Sequence, residues 1–299
     1  MKVLCFGSLN IDMVYQVDHI VNPGETIAAS SVDFHSGGKG LNQSVALSKA
    51  GSEVWHAGMV GEDGDMLLEE LESAGVDTSL IERSGVRTGN AIIQVDALGQ
   101  NSIVLFGGAN QCITEEYIDK ALSSFGGGDV LLLQNEINRI GMIIDKAARK
   151  GLRIVLNPSP FNEKLLEADL SKVSLFLINE VEGAQIAGAP VENAADNYEE
   201  LLEKVSSSYP SSEIVMTLGS KGCVYRGAEG TIFLEAEKVR AVDTTAAGDT
   251  FTGYFITEYF GRGDAYAALD LARRASAIAV TRPGAAESIP FRNELEQAE

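Results

Sequence analysis

Basic residues are scarce in this chain, and long apolar runs are missing. Of 299 residues, 23 are Lys or Arg and 43 are Asp or Glu, a formal net charge of -20. A surface of that sign repels phosphodiester backbones and anionic bilayers, which argues against nucleic acid or membrane as the main partner. A small anionic ligand is still compatible, because backbone N–H groups and a metal ion can build a local positive site. No window approaches the roughly 20 apolar residues that span a bilayer. The start, MKVLCFGSLNID, has one lysine and an apolar run that breaks at Gly7. It is too short for a signal-peptide core and lacks a cleavage site, so cytoplasmic residence is the expectation.

Cysteine is also sparse. Cys5, Cys112 and Cys223 lie far apart and form no CxxC pair, which argues against a zinc site or a disulfide framework. They read as small buried hydrophobes. His19, His35 and His56 show no metal spacing, and no nucleophile elbow or Ser-His-Asp order stands out. What the chain does have is 45% hydrophobic residues, enough for a full core in one large α/β domain or two small ones.

The apolar residues come in short runs: Val3 to Phe6, Val54 to Met59, Val130 to Gln134, Ile154 to Asn157, Leu175 to Ile178 and Ile214 to Leu218. Helical patterns separate them, at Gly40 to Ala50, Met66 to Ala74, Glu115 to Phe125, Ile140 to Lys150 and Tyr198 to Ser206. The alternation predicts an α/β fold with a mostly parallel sheet covered on both faces. Three segments instead alternate apolar and polar residues: Met13 to Asp18, Ile27 to Phe34, and Gly89 to Phe106 with a turn at Leu98 to Asn101. They predict a small second sheet, half buried, acting as a cover or an interface.

Ligands of such folds gather at the carboxyl ends of strands. The segment Asp243-Thr244-Thr245-Ala246-Ala247-Gly248-Asp249-Thr250-Phe251 lies between a β-like run (Thr231 to Val242) and an apolar helical run (Gly253 to Phe260). Small residues at a strand-to-helix turn expose unpaired N–H groups, which attract anions. Asp249 stands among them. A carboxylate beside an anion site makes sense as a base that takes a proton from a hydroxyl attacking phosphate. Ser36 to Gln43, with Gly37, Gly38 and Gly40 before Asn42, lets a ligand reach the backbone, and Asn42 offers both a donor and an acceptor. Lys39 is followed by glycine, so this is not a P-loop. Asn10 and Asp12 follow the first strand and read as ligand contacts or as a turn. Asn135-Glu136 and Asn179-Glu180, with Glu182 nearby, read as water-mediated magnesium contacts or as helix caps. Thr217-Leu218-Gly219-Ser220-Lys221-Gly222 reads as a phosphate or nucleotide contact or as a hairpin turn. The loop Ala279 to Ala286 could aim carbonyls at a cation.

Together these motifs resemble the ribokinase-like, or pfkB, family of carbohydrate kinases, over nearly the whole chain. GGKGLNQ (Gly37 to Gln43) is similar to the family's amino-terminal signature and DTTAAGDTFTGYF (Asp243 to Phe255) to its carboxyl-terminal one. SLNID, NPSP (Asn157 to Pro160) and AVTRPGA (Ala279 to Ala285) resemble its ribose-phosphorylating members. The resemblance implies a three-layer α/β/α sandwich with a small β-sheet lid from about residues 13–36 and 88–107, in a single domain over 1–299. It implies transfer of the γ-phosphoryl of ATP to a primary hydroxyl, O5 for ribose, with deoxyribose, another sugar or a nucleoside as the alternative acceptor. A non-catalytic sugar sensor is a third reading, against which a retained Asp249 argues. By the same resemblance Asp249 is the base and Ala246, Ala247 and Gly248 form the anion hole. Asn10, Asp12, Gly38, Lys39, Gly40, Asn42 and Glu136 hold the sugar. Asn179 and Thr217, Leu218, Gly219, Ser220, Lys221 and Gly222 line the nucleotide site with Gly248. Asp243, Thr245, Ala279, Arg282, Gly284 and Ser288 hold a monovalent cation such as K+, and Glu182 serves Mg2+ through water. The lid is also expected to join two copies into a homodimer. Two departures stand out: Arg273 near the expected adenine site, and Thr245 in place of an apolar residue.

Overall fold

The computed structural model describes residues 1–228 and 230–296. The short apolar runs form a nine-stranded sheet. In spatial order its strands are β13 (Gly230–Leu234), β12 (Cys223–Gly227), β11 (Glu213–Thr217), β10 (Leu175–Asn179), β9 (Arg153–Leu156), β8 (Val130–Leu133), β1 (Lys2–Phe6), β4 (Glu53–Val60) and β5 (Asp77–Arg83). Strands from β11 to β5 run parallel. The β12 and β13 strands are antiparallel additions at one edge.

Side chains alternate across the sheet and feed two separate cores. Val3, Cys5, Val130, Leu132, Val155 and Val215 point to one face. There they meet α1 (Lys39–Lys49), α2 (Asp65–Ser73), α7 (Ala247–Arg262) and α8 (Ala265–Ala279), with Leu295 of α9 (Arg292–Glu296) at the margin. Leu4, Phe6, Leu131, Leu133, Ile154 and Ile214 point to the other face. That side is covered by α3 (Glu115–Leu122), α4 (Ile140–Arg149), α5 (Glu180–Ile186) and α6 (Tyr198–Ser208). Burial on both faces is why the strands read as unbroken apolar runs.

A separate four-stranded sheet has the order β3 (Ser31–Gly37), β2 (Asn10–Gln16), β6 (Gly89–Val95), β7 (Asn101–Phe106). The β6–β7 turn is held by Asp96, whose Oδ1 accepts the Leu98 and Gln100 N–H groups at 2.8 and 2.9 Å. Three sequence expectations shift. The strand expected from Ile27 begins at Ser31, because β2 ends at Gln16, opposite Ser31, and the residues before it have no ladder to join. The β-like run expected to Val242 ends at Leu234, opposite Cys223, where β12 begins. Asn10 and Asp12 are not a loop after β1 but the opening of β2.

The α1–α7 crossing places the functional residues. A Cβ built on Gly253 would lie 2.4 Å from the Ala46 Cβ and 2.6 Å from the Ala46 carbonyl carbon. The two helices therefore touch backbone to backbone, and the first turn of α1 meets the first turn of α7.

Candidate active site

Gly38 turns the chain out of β3 at φ 94, a left-handed value that favours glycine. The turn delivers Lys39, Gly40 and Asn42 into α1. Glu136, just beyond β8, ties this start to the first strand. Its Oε2 accepts the Lys39 N–H at 2.9 Å and the Ser8 hydroxyl, and Ser8 Oγ accepts the Gly40 N–H at 3.2 Å. Asn10 Oδ1 accepts Asn110 Nδ2 at 2.8 Å. Asp12 sits under Gly37, where a Cβ would fall 2.1 Å from its Oδ2. Burial raises the Asp12 carboxyl to about 7; Glu136 adds to the rise and His35 opposes it. All the residues expected to hold the sugar thus lie in one connected patch. Among the described residues, Asn42 Oδ1 is buried there without a partner. Such an atom costs about 1–3 kcal/mol unless a ligand satisfies it.

Asp249 forms the far wall of this patch. It is 5% exposed and occupies the first turn of α7. Asn42 Nδ2 donates to its Oδ2 at 3.2 Å and Gln43 Nε2 to its Oδ1 at 2.8 Å. The Lys39 ammonium lies 3.7 Å from Oδ1. Asp249 is the main reason the Lys39 ammonium holds its proton more firmly than usual, against the opposing effect of burial. Ala246 caps α7 in a left-handed conformation, φ 57, with no side-chain hydrogen bond to the helix start. Among the described residues the Ala247 N–H makes one long bond, 3.3 Å to the Thr244 carbonyl, and the Gly248 and Asp249 N–H groups have no protein partner. A Cβ on Gly248 would meet nothing within 4 Å, so space lies in front of these donors. The arrangement combines an anion-binding helix start with a carboxylate beside a hydroxyl-binding patch.

A cleft of about 360 Å³ opens from the same helix start. Thr217, Gly219, Ser220 and Gly222 line it together with Ala247 and Gly248. Leu218 and Lys221 do not line it: Leu218 is buried in the core and Lys221 pairs with Asp196. The hairpin reading of this segment also holds, since it joins the antiparallel β11 and β12. Arg273 lines the cleft, pinned by Asp270 and Glu237. Asn179 caps α5 and lies off the cleft lining. Its Oδ1 accepts the Glu182 N–H at 2.8 Å, and Glu182 Oε2 accepts the Asn179 N–H at 3.0 Å. Glu182 is therefore a capping carboxylate. Its carboxyl is raised by burial, and Lys39 and Asp249 are close enough to act on it.

A profile of the pfkB family carbohydrate kinases matches residues 1–292. The chain belongs to the pfkB family. This pfkB chain is 34% identical to the ribokinase of Staphylococcus aureus over 306 aligned residues, covering 99% of each chain. It is 32% identical to the deoxyribokinase of Salmonella typhi, covering 97% of this chain and 96% of that one. Its fold matches the crystal structure of ribokinase from Cryptococcus neoformans in complex with ADP, with TM-score 0.86, 32% identity and coverage of 100% and 99%.

Of the six residues expected at a monovalent cation, Asp243, Thr245 and Gly284 are joined by direct hydrogen bonds ahead of α7 in this pfkB chain. Asp243 Oδ1 accepts the Thr245 N–H at 2.9 Å, and its Oδ2 accepts the Gly284 N–H at 3.0 Å. The Val242 N–H reaches the Val280 carbonyl at 2.7 Å, one residue past Ala279. Ser288 Oγ donates to the Ala285 carbonyl at 2.8 Å. Arg282 turns away to Glu294 at 2.6 Å. Among the described residues no cluster of three His, Cys, Asp or Glu side chains could hold a metal. Carbonyl oxygens would have to supply most of a cation shell here.

Sequence reading missed the partners of these groups. Ser8 and Asn110 brace Glu136 and Asn10, while Gln43, Gln134 and Asn157 stand behind Asp249. Gln134 and Asn157 each end a buried apolar run, and an amide in that position is a readable signal for a ligand or a network.

Proposed function

We propose that this chain is an ATP-dependent sugar kinase that moves the γ-phosphoryl of ATP to the primary hydroxyl of a pentose, forming D-ribose 5-phosphate from D-ribose. The observation that carries this reading is Asp249: a buried carboxylate at a helix start with no side-chain cap, beside a polar patch whose Asn42 oxygen has no partner among the described residues and next to Gly248, which lines the cleft. Asp249 takes the proton of the sugar hydroxyl as the oxygen–phosphorus bond forms. The bond from the γ-phosphorus to the ADP oxygen breaks, and the proton later leaves to solvent. The free N–H groups at Gly248 and Asp249 face the charge that builds on the phosphoryl oxygens. Lys39 adds a fixed positive charge beside them.

Magnesium fits this site through the nucleotide. Magnesium prefers oxygen ligands and dehydrates reluctantly, so one nearby carboxylate would be enough. Glu182, with Oε2 held by the helix cap, is the residue that would hold the ion through water. Bound magnesium would neutralise phosphate charge. The Asp243, Thr245, Ala279, Gly284 and Ser288 loops offer oxygens suited to K+. The protein is read as a single kinase domain in the cytoplasm, with the four-stranded sheet as a lid over the sugar and as the contact between two copies. A closed lid keeps water from the γ-phosphate. No helix among the described residues is long and apolar enough to cross a membrane.

A panel of sugars in a coupled ADP-release assay, with magnesium and with either K+ or Na+, tests the reading. Ribose should stimulate ADP release most, and more so with K+. Silence across the panel would end the kinase assignment. The relative named deoxyribokinase makes deoxyribose the second acceptor to assay; a carboxylate at Asp12 can hold two adjacent hydroxyls, which favours ribose, and equal kcat/KM for both sugars would remove that role. Asp249→Asn should keep ribose binding by calorimetry and lose ~10²–10⁴-fold in kcat, the usual size of general-base action. Near-normal turnover would take Asp249 out of that role.

A further inference from the structure

Gln43 and Gln134 make none of the sugar or nucleotide contacts described above, yet both are 0% exposed. Their hydrogen bonds form one directed chain. Asn157 Nδ2 donates to the Leu177 carbonyl at 2.8 Å, which fixes that amide and leaves its Oδ1 as an acceptor. Gln43 Nε2 donates there at 2.9 Å and to Asp249 Oδ1 at 2.8 Å. Gln43 Oε1 accepts Gln134 Nε2 at 2.7 Å. Both hydrogens of the Gln43 amide and its oxygen are therefore committed. Turning the amide over would set its oxygen against two acceptors and lose all three bonds.

We propose that Gln43 is a positioning residue for the base, held in turn by Gln134 and Asn157. It fixes Oδ1 of Asp249, so that Oδ2, which among the described residues accepts only the longer 3.2 Å bond from Asn42, takes the hydroxyl proton. This rests on the base reading of Asp249. A neutral amide suits the task. It supplies a hydrogen bond without a second charge, and its stem is locked in the α1–α7 crossing.

Gln43→Glu and Gln43→Met, made in the full chain, test the proposal with Asp249→Asn alongside. The glutamate keeps the shape and places a second carboxylate against Asp249 Oδ1. Two carboxylates at hydrogen-bond distance share a proton, so the acid limb of the pH–kcat profile should move up by roughly one pH unit or more. The methionine keeps the volume and removes the donor; kcat should fall ~10–100-fold, the usual loss when an outer support is removed, while KM for ribose stays within about threefold. A wild-type acid limb in Gln43→Glu with unchanged kcat in Gln43→Met overturns the proposal. If Asp249→Asn itself retains turnover, the base reading fails first. If Asp249→Asn is inactive while the Gln43 variants are normal, only the positioning role falls. Should neither Gln43 variant fold, Gln134→Met decides, since it removes the bond that orients the Gln43 amide while leaving Gln43 and Asp249 themselves unaltered. A severalfold fall in kcat at unchanged KM supports the role, and unchanged kcat overturns it.

Discussion

Asp12 is the residue at which chemistry and pH meet. Its carboxyl is raised to about 7, first by burial and then by Glu136. An unfolded aspartate titrates near ~3.9. Between those values the folded chain binds more protons than the unfolded one, so this group makes stability fall as pH rises through the window. Function should run the other way. Sugar hydroxyls donating to Asp12 favour its ionised form, so ribose binding should pull the proton off. The expected result is a ribose KM that falls as pH rises across neutrality, while the ATP KM stays flat. Asp12→Asn should abolish that slope and raise the ribose KM by about tenfold or more, the worth of losing hydrogen bonds to a charged group. Initial rates over a pH series with ribose and ATP varied separately would measure this. A ribose KM independent of pH in the unmodified chain would remove the sugar-gripping role from Asp12.

At the scale of elements, the α1–α7 crossing matters more than either helix alone. Replacing glycine by alanine inside a helix normally gains about 1 kcal/mol from propensity. At Gly253 the new methyl would sit 2.4 Å from the Ala46 Cβ and 2.6 Å from the Ala46 and Leu47 backbone, which has little freedom to move aside. Overpacking of this kind costs about 1–3 kcal/mol, so the clash should win. Gly253→Ala is therefore expected to lower the urea midpoint and to reduce kcat, because Asn42 and Gln43 would shift against Asp249. A raised midpoint would show that the crossing is looser than its spacing implies. The same crossing explains what could be read in advance. Runs such as Val130 to Leu133 are apolar on every residue because both faces are buried, and that is visible in a string of letters. The Gly38 turn and the Ala246 to Asp249 helix start were visible as small residues flanking a change of period. The hydrogen bonds that complete the site were not. Asn42 and Asp249 are 207 residues apart and Ser8 and Glu136 are 128 apart. The first pair depends on how closely α1 and α7 approach, and the second on β1 and β8 lying side by side, neither of which a local pattern encodes.

At the scale of the molecule, the small sheet leaves an apolar row uncovered. Phe34, Met13, Ile92 and Val104 are register neighbours across its four strands. Phe34 is 58% exposed and Val104 61%. A contiguous exposed apolar row is a poor surface for a protein that stays single. A second copy is the occupant we propose, and self-association must then overcome charge. Each copy carries a formal -20, so two protomers repel at low ionic strength, and salt should strengthen the pair by screening. Sedimentation of the unmodified chain should show a dimer whose dissociation constant falls as salt rises. Val104→Glu places a new carboxylate at the exposed β7 end of the row and should give a monomer that still binds ATP, since the nucleotide cleft lies on the other sheet's strand ends. If the same sheet covers the sugar, the monomer should also show a raised ribose KM, because the lid would lose the partner that steadies it. A chain that sediments as a monomer at every salt concentration would leave the row without this role. A Val104→Glu dimer would move the contact to another surface.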